Sequence, residues 1–197
     1  MRIKELNQKV YDKFYIFAGS LVGLILLGLW SFFEASVWFI APDFLIMLFS
    51  LVLFKKYKKF ILVALITSLI GGLLYYILNL FYFEQLTDIL FNTPFVAERS
   101  VAFVSKLLSE YGVIATFLQS ITLIPFKIWT HFIVQYNLSP LLYFVFVAIS
   151  RTIRFFVVAF VFAFLGKKFK NKIRNNFNWL LIIYLLSFAL VMFLLEA

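Results

Sequence analysis

At 197 residues, 64% hydrophobic and with a mean hydropathy of +1.02, the chain is far more apolar than soluble domains, which run about 45–50% apolar, and it reads as an integral membrane protein of one domain. Its apolar runs are continuous rather than alternating, so the class is all-α and not a spanning β-barrel. The formal net charge of +9 comes from bases at the ends of apolar runs, a positive-inside pattern that suits anionic lipid heads rather than nucleic acid; with no cysteine there is no disulfide, thiol nucleophile or thiolate metal site.

Residues 1–13 read as a basic amphipathic helix at the lipid interface, with Ile3, Leu6 and Val10 at helical spacing among Lys4, Glu5, Lys9, Asp12 and Lys13. The bases ahead of an apolar run imitate a signal peptide, but that run exceeds the usual h-region of about 7–15 residues and no clean cleavage site follows, so the segment is expected to be retained. Residues 14–33 are apolar for about the 20 residues that a span needs. Then Glu34, Pro42 and Asp43 interrupt the run. An acid at the bilayer centre costs about 2.5–3.5 kcal/mol on insertion scales, and a proline opens the backbone ladder, so this stretch is a candidate functional site at the tip of a hairpin. Residues 44–54 form a piece of roughly 16 Å as helix, too short to cross alone, and end at the basic cluster Lys55, Lys56, Lys58, Lys59.

Residues 60–83 read as a clean span with Gly71 and Gly72 near its middle, where a second backbone can approach. An acidic loop over 84–92 precedes an amphipathic helix over 94–110, too charged to span. Residues 112–124 are apolar but carry Gln119, Ser120 and Thr122; Pro125 breaks them, Lys127 follows, and the chain continues past His131 to a turn at 137–140. Residues 141–165 are a full span with Ser150, Arg151 and Arg154 inside it, 167–174 are a second basic cluster, and 177–195 form a last span.

Parity orders these pieces. With both basic clusters on the cytoplasmic side, residues 112–139 must begin and end outside, and residues 14–54 must begin and end inside. The expected architecture is an inverted repeat of re-entrant hairpin plus transmembrane helix: a cap over 1–13, a first repeat over 14–83, a connector over 84–110, a second repeat over 111–166, and a basic loop and extra helix over 167–197. The rival reading takes 14–33 as a full crossing with a strained return.

The chemistry-bearing residues are few. Glu34 and Asp43 flank one break; they are candidates for a shared proton or for pairing with buried arginines, against a plain role as helix caps. Arg151 and Arg154 share a helix face and match phosphate or carboxylate, either as structural partners of the acids or as a headgroup site, and Lys127 adds a base near the second break. Gln119, Ser120 and Thr122 are the expected polar lining, with Pro42 and Pro125 as the hairpin breaks. His131 is expected to be a packing residue, since no second metal ligand has a plausible spacing, and no nucleophile–base pair, Gly-rich phosphate loop or metal set points to an enzyme or a cofactor.

Three stretches together resemble the DedA family, also called SNARE-associated or VTT-domain proteins: FFEAS…APD at the first break, YGVIATFLQSITLIPFK at the second, and SRTIRFF in the span that follows. The likeness covers roughly residues 14–166 and is closest to the YqaA-like branch, whose second hairpin ends in Pro-aromatic-Lys. It implies two facing re-entrant hairpins and a role in moving lipids across the inner (plasma) membrane, undecaprenyl phosphate in bacterial relatives and phospholipids in eukaryotic ones. Glu34 and Asp43 fall on the family's acidic positions and Arg151 and Arg154 on its arginines. Many members also carry arginines three residues before and after the second-hairpin proline, where this chain has Thr122 and Ile128. The expectation is a flippase- or scramblase-like lipid transporter with a cytoplasmic N-terminus, an anionic lipid head as substrate and possible proton coupling through the acids; the alternatives are a proton-coupled solute or ion transporter and a membrane assembly or homeostasis protein that transports nothing.

Overall fold

Ser20 breaks the first apolar run. In a computed structural model, which describes residues 2–37, 41–92, 98–122 and 124–196, the chain forms helix α1 (Arg2–Gly19) and then α2 (Leu21–Ser36), bent by 69° from it. The Ser20 hydroxyl donates to Phe17 O at 2.7 Å and accepts from Gly23 N at 3.2 Å, so it closes one helix and caps the next. The expected cap and first span therefore differ from the observed elements: α1 runs on through residue 13, and the piece entering the core is the 16-residue α2. Helix α3 (Asp43–Val52) follows the break, and its C-terminal neighbour Leu53 lies 3.4 Å from where a Cβ on Gly19 would stand. The α2–α3 segment thus leaves and returns to the same end of the molecule. Trp38, Phe39 and Ile40 of the expected tip, and Pro94 and Val96 of the expected connector helix, lie outside the described residues.

A 3₁₀ turn (Phe54–Lys56) leads into α4 (Tyr57–Phe81), and α5 (Phe83–Asn92) is a short helix where a loop was expected. Helix α6 (Glu98–Tyr111) runs into a 3₁₀ helix (Gly112–Ser120), and together they reach the length and apolarity of a membrane crossing, although the charges of α6 had argued against one. After Pro125 come α7 (Phe126–Gln135), a turn in which Asn137 takes φ 50°, and α8 (Pro140–Lys168). Helices α9 (Lys170–Asn175) and α10 (Phe177–Glu196) end the chain. Among the described residues there is no strand, and residues 54–81, 98–120 and 140–168 are each long and apolar enough to cross a membrane, with α1 and α2 as a bent fourth candidate.

The interior is built by helix periodicity. On α8 the buried residues Tyr143, Val147, Arg151, Phe155, Ala159 and Ala163 recur every fourth position, and on α4 the matching stripe is Phe60, Ala64, Ser68, Gly71, Gly72, Tyr75 and Asn79. Lipid supplies little hydrophobic drive between helices, so close backbone approach does the packing. A Cβ on Gly71 would stand 2.3 Å from Phe32 O, and one on Gly166 would stand 2.0 Å from Leu51 O. The α2–α3 segment is thereby seated between α4 and α8, each long helix presenting a glycine to it. At the basic end, Asp12 accepts two hydrogen bonds from Arg174 at 3.1 and 2.7 Å, and Asn7 donates to Asn175 O at 2.6 Å, tying α1 to α9.

Candidate functional site

Glu34 lies on the buried stripe of α2 with Leu27, Ser31 and Ala35, so helical spacing turns its carboxylate inward. Arg151 is turned inward by the same logic on α8. They meet: Arg151 Nη2 donates to both carboxylate oxygens of Glu34 at 3.1 and 3.0 Å, with side-chain exposures of only 8% and 7%. One turn along α8, Arg154 makes a two-pronged contact with Asp43, Nε to Oδ1 at 3.0 Å and Nη2 to Oδ2 at 2.7 Å. Asp43 is the first residue of α3, where a negative charge also faces the positive end of a helix dipole, and Pro42 begins that helix without needing a donated N–H. Both acids of the first break are therefore paired with both arginines of α8.

The two pairs differ in what they leave over. Arg154 engages its partner through two nitrogens, whereas Arg151 uses one nitrogen for both oxygens and its Nη1 is buried without a hydrogen-bond partner. That guanidinium lies 4.4 Å from the centre of the Phe126 ring, the residue after Pro125. Gln119 is 3% exposed and neither atom of its amide has a partner. A cavity of about 20 Å³ lies among these groups, lined by Glu34, Pro42, Asp43, Gln119, Arg151 and Arg154, with Ala41, Ile124 and Phe155. That is room for about one water molecule, and a buried amide without a bond costs about 1–3 kcal/mol. A small polar group held between Gln119 and Arg151 Nη1 would relieve both.

The remaining expected residues divide. Lys127 is 2% exposed, and its amino group donates to Val37 O at 2.5 Å, putting a cation on the carbonyl end of α2 and joining the second break to the first. Pro125 sits at the N-terminus of α7 and directs Phe126 against α4, where a Cβ on Gly72 would stand 2.4 Å from the ring. Ser120 lies beside the cavity rather than in its lining, its hydroxyl paired with that of Ser150 in a short contact. Thr122 is a correction: its hydroxyl turns back to Leu118 O at 3.0 Å and takes no part in the lining. Its backbone N–H donates to the same Leu118 O at 2.9 Å, the common way a threonine hydroxyl folds back on its own turn. His131 packs away from this site, stacked on Phe83 at 4.5 Å and bonded to Asn79 Oδ1 at 2.8 Å. Phe126 and Phe155 were not singled out in the sequence, since aromatic residues are too common in it to be a signal: it holds 28 phenylalanines.

These features define an α-helical, multi-pass membrane protein with a paired-charge site at the breaks of its helices. No family model matches the chain, and no solved structure does. It is similar to a protein of Haemophilus influenzae described as an uncharacterized protein, with 28% identity over 169 residues, which cover 85% of this chain and 86% of that one.

Proposed function

We propose that this chain is a lipid transporter of the DedA type that carries a phosphate-headed lipid across the inner (plasma) membrane with its tails left in the bilayer. The observation that carries the reading is the pair of buried acid–arginine contacts at a helix break, with Arg151 Nη1 and the Gln119 amide unpartnered in the same cavity. Intramembrane charges of this kind are functional by default, and arginine is the residue suited to a phosphate. Two acids, Glu34 and Asp43, are matched by two arginines, Arg151 and Arg154, so an anion enters the site by taking an arginine from a carboxylate. In the proposed cycle a phosphate head takes Arg151, and then Arg154, from the carboxylates; the released acids take up protons, which couples transport to proton movement.

On this reading residues 14–83 and 111–166 are inverted repeats whose breaks face each other, and the segments around Pro42 and Pro125 are re-entrant. The meeting of Gly19 with Leu53 and the Lys127 contact to Val37 O support it. The basic end, with 55–59 and 167–174, lies in the cytoplasm together with the N-terminus. The protein is not an enzyme and needs no cofactor.

The test is reconstitution into vesicles with fluorescent phospholipid and polyprenyl phosphate, measuring how fast the probe changes leaflet. Wild-type protein is expected to accelerate the exchange, and Arg151→Lys or Glu34→Gln to slow it at least about tenfold, the scale of losing a charge-assisted contact. Vesicles in which neither lipid changes leaflet faster than in protein-free controls would overturn the proposal.

A further inference from the structure

A second concavity lies away from the charged site. Between α8 and α10 a groove of about 490 Å³ is lined by Leu51, Phe162, Leu165, Phe169, Trp179 and Ile183 among others, nearly all apolar. Concave sites of about 300–1,000 Å³ are the size that holds a small organic ligand. One end of the groove meets the stretch 167–174, which carries Lys167, Lys168, Lys170, Lys172 and Arg174 and no acid. Arg174 is committed to Asp12, but no ion pair joins any of the four lysines to an acid among the described residues. Lys168 Nζ stands 5.4 Å over the ring of Phe169, and that ring is itself part of the groove wall, so one lysine lies a single side chain away from the groove.

An apolar trough with an unneutralised cationic rim fits an amphiphile with a negative head. We propose that this groove binds one anionic glycerophospholipid, its acyl chain along α8 and α10 and its phosphate near Lys168, within the field of Lys167, Lys170 and Lys172. A second copy of the chain fits less well, because it would bring a second basic rim against the first. A soluble anion would leave the apolar wall unused. The site bears on the first one through α3. Leu51 near the C-terminus of α3 lines the groove, and Tyr184 on its wall donates to Phe44 O, next to Asp43. A lipid seated here braces both ends of the helix that carries Asp43. The inference does not depend on lipid transport at the central site.

The experiment uses the full chain in zwitterionic nanodiscs doped with an equal trace of photoactivatable phosphatidylglycerol or phosphatidylcholine, with labelled positions mapped by mass spectrometry. The anionic probe is expected to label residues 162–187 at least about fivefold more than the zwitterionic one, the affinity that a single lysine near a surface supplies. Replacing the four lysines by glutamine should abolish the preference, and 0.5 M salt should weaken it. Because those lysines are exposed, the variant is expected to fold, and Lys168→Gln alone gives a smaller loss in the same direction. Ile183→Trp, which narrows the trough, should lower the label with the rim intact. Equal labelling by both lipids, labelling elsewhere only, or a chain-to-chain adduct through α10 would overturn the proposal.

Discussion

Arg151→Met removes the cation from a contact whose two side chains are only 8% and 7% exposed, and leaves the Glu34 carboxylate with no bonded cation. Breaking a buried pair from one side costs about 3–5 kcal/mol, because the stranded charge keeps its desolvation penalty and loses its compensation. Glu34→Met strands Arg151 and is expected to cost a similar amount. The double variant strands neither member of the pair, although it also takes the Glu34 charge from the buried Lys127 nearby, so it should lie well above the sum of the singles and somewhat below wild type. Equilibrium unfolding in mixed micelles, followed by circular dichroism, measures all three. The same three proteins in vesicles separate structure from function: the double variant should be folded and unable to move lipid. Singles that each cost less than about 1 kcal/mol, the range of exposed ion pairs, would refute the argument that this pair is held in a dry site. A double variant that still transported lipid would leave the pair a purely structural role.

The exposed Arg174–Asp12 pair gives a control: Asp12→Asn breaks that contact, but with side chains 42% and 51% exposed it should leave stability near wild type, whereas Asp43→Asn should clearly lower it in the same unfolding assay. Gly71→Ala and Gly166→Ala should each lower the melting temperature by several degrees, since a Cβ would stand 2.3 and 2.0 Å from backbone carbonyl oxygens, while Gly19→Ala, with its nearest neighbour a leucine methyl at 3.4 Å, should be tolerated. Gln119→Leu removes an amide that has no hydrogen-bond partner and should hold or raise the melting temperature by relieving a cost of about 1–3 kcal/mol; a fall in lipid exchange in the same variant would mark the amide as serving the ligand rather than the fold.

The four charges of the site were legible in the sequence because a carboxylate or guanidinium inside an apolar run stands out against its neighbours. Their pairing was legible only as convergence. That Arg151 takes Glu34 and Arg154 takes Asp43 depends on how α8 is rotated against α2 and α3, which no single helix encodes. Helices α4 and α8 read cleanly because each is a long, mostly apolar stretch beside a basic pair, Lys58 and Lys59 at the start of α4 and Lys167 and Lys168 at the end of α8. The bend at Ser20 did not, since one serine barely alters hydropathy; its effect comes from the two hydrogen bonds it makes. Helix α5 was hidden by Glu84, Gln85 and Asp88, which look like a solvated loop until the residues are placed on a wheel with Leu90 as the buried one.

The glycines at 71 and 72 link these parts into one mechanical unit. Gly71 admits the Phe32 backbone of α2, and Gly72 admits the ring of Phe126 from the second break. Glu34 stands two residues beyond Phe32 and holds Arg151, whose guanidinium lies over that same Phe126 ring. The contacts form a closed circuit through α4, α2, α8 and α7. Lys127, bonded to Val37 O, crosses the circuit and ties the two breaks directly. A closed circuit resists piecemeal motion, because displacing one member strains the contacts of the next. Arg151 thus touches the first break through Glu34 and the second through Phe126, so the two breaks share one guanidinium. The same geometry explains why paired glycines sit in the middle of an otherwise ordinary apolar helix: a Cβ at either place would meet the Phe32 carbonyl or the Phe126 ring and strain the circuit that holds Glu34 to Arg151.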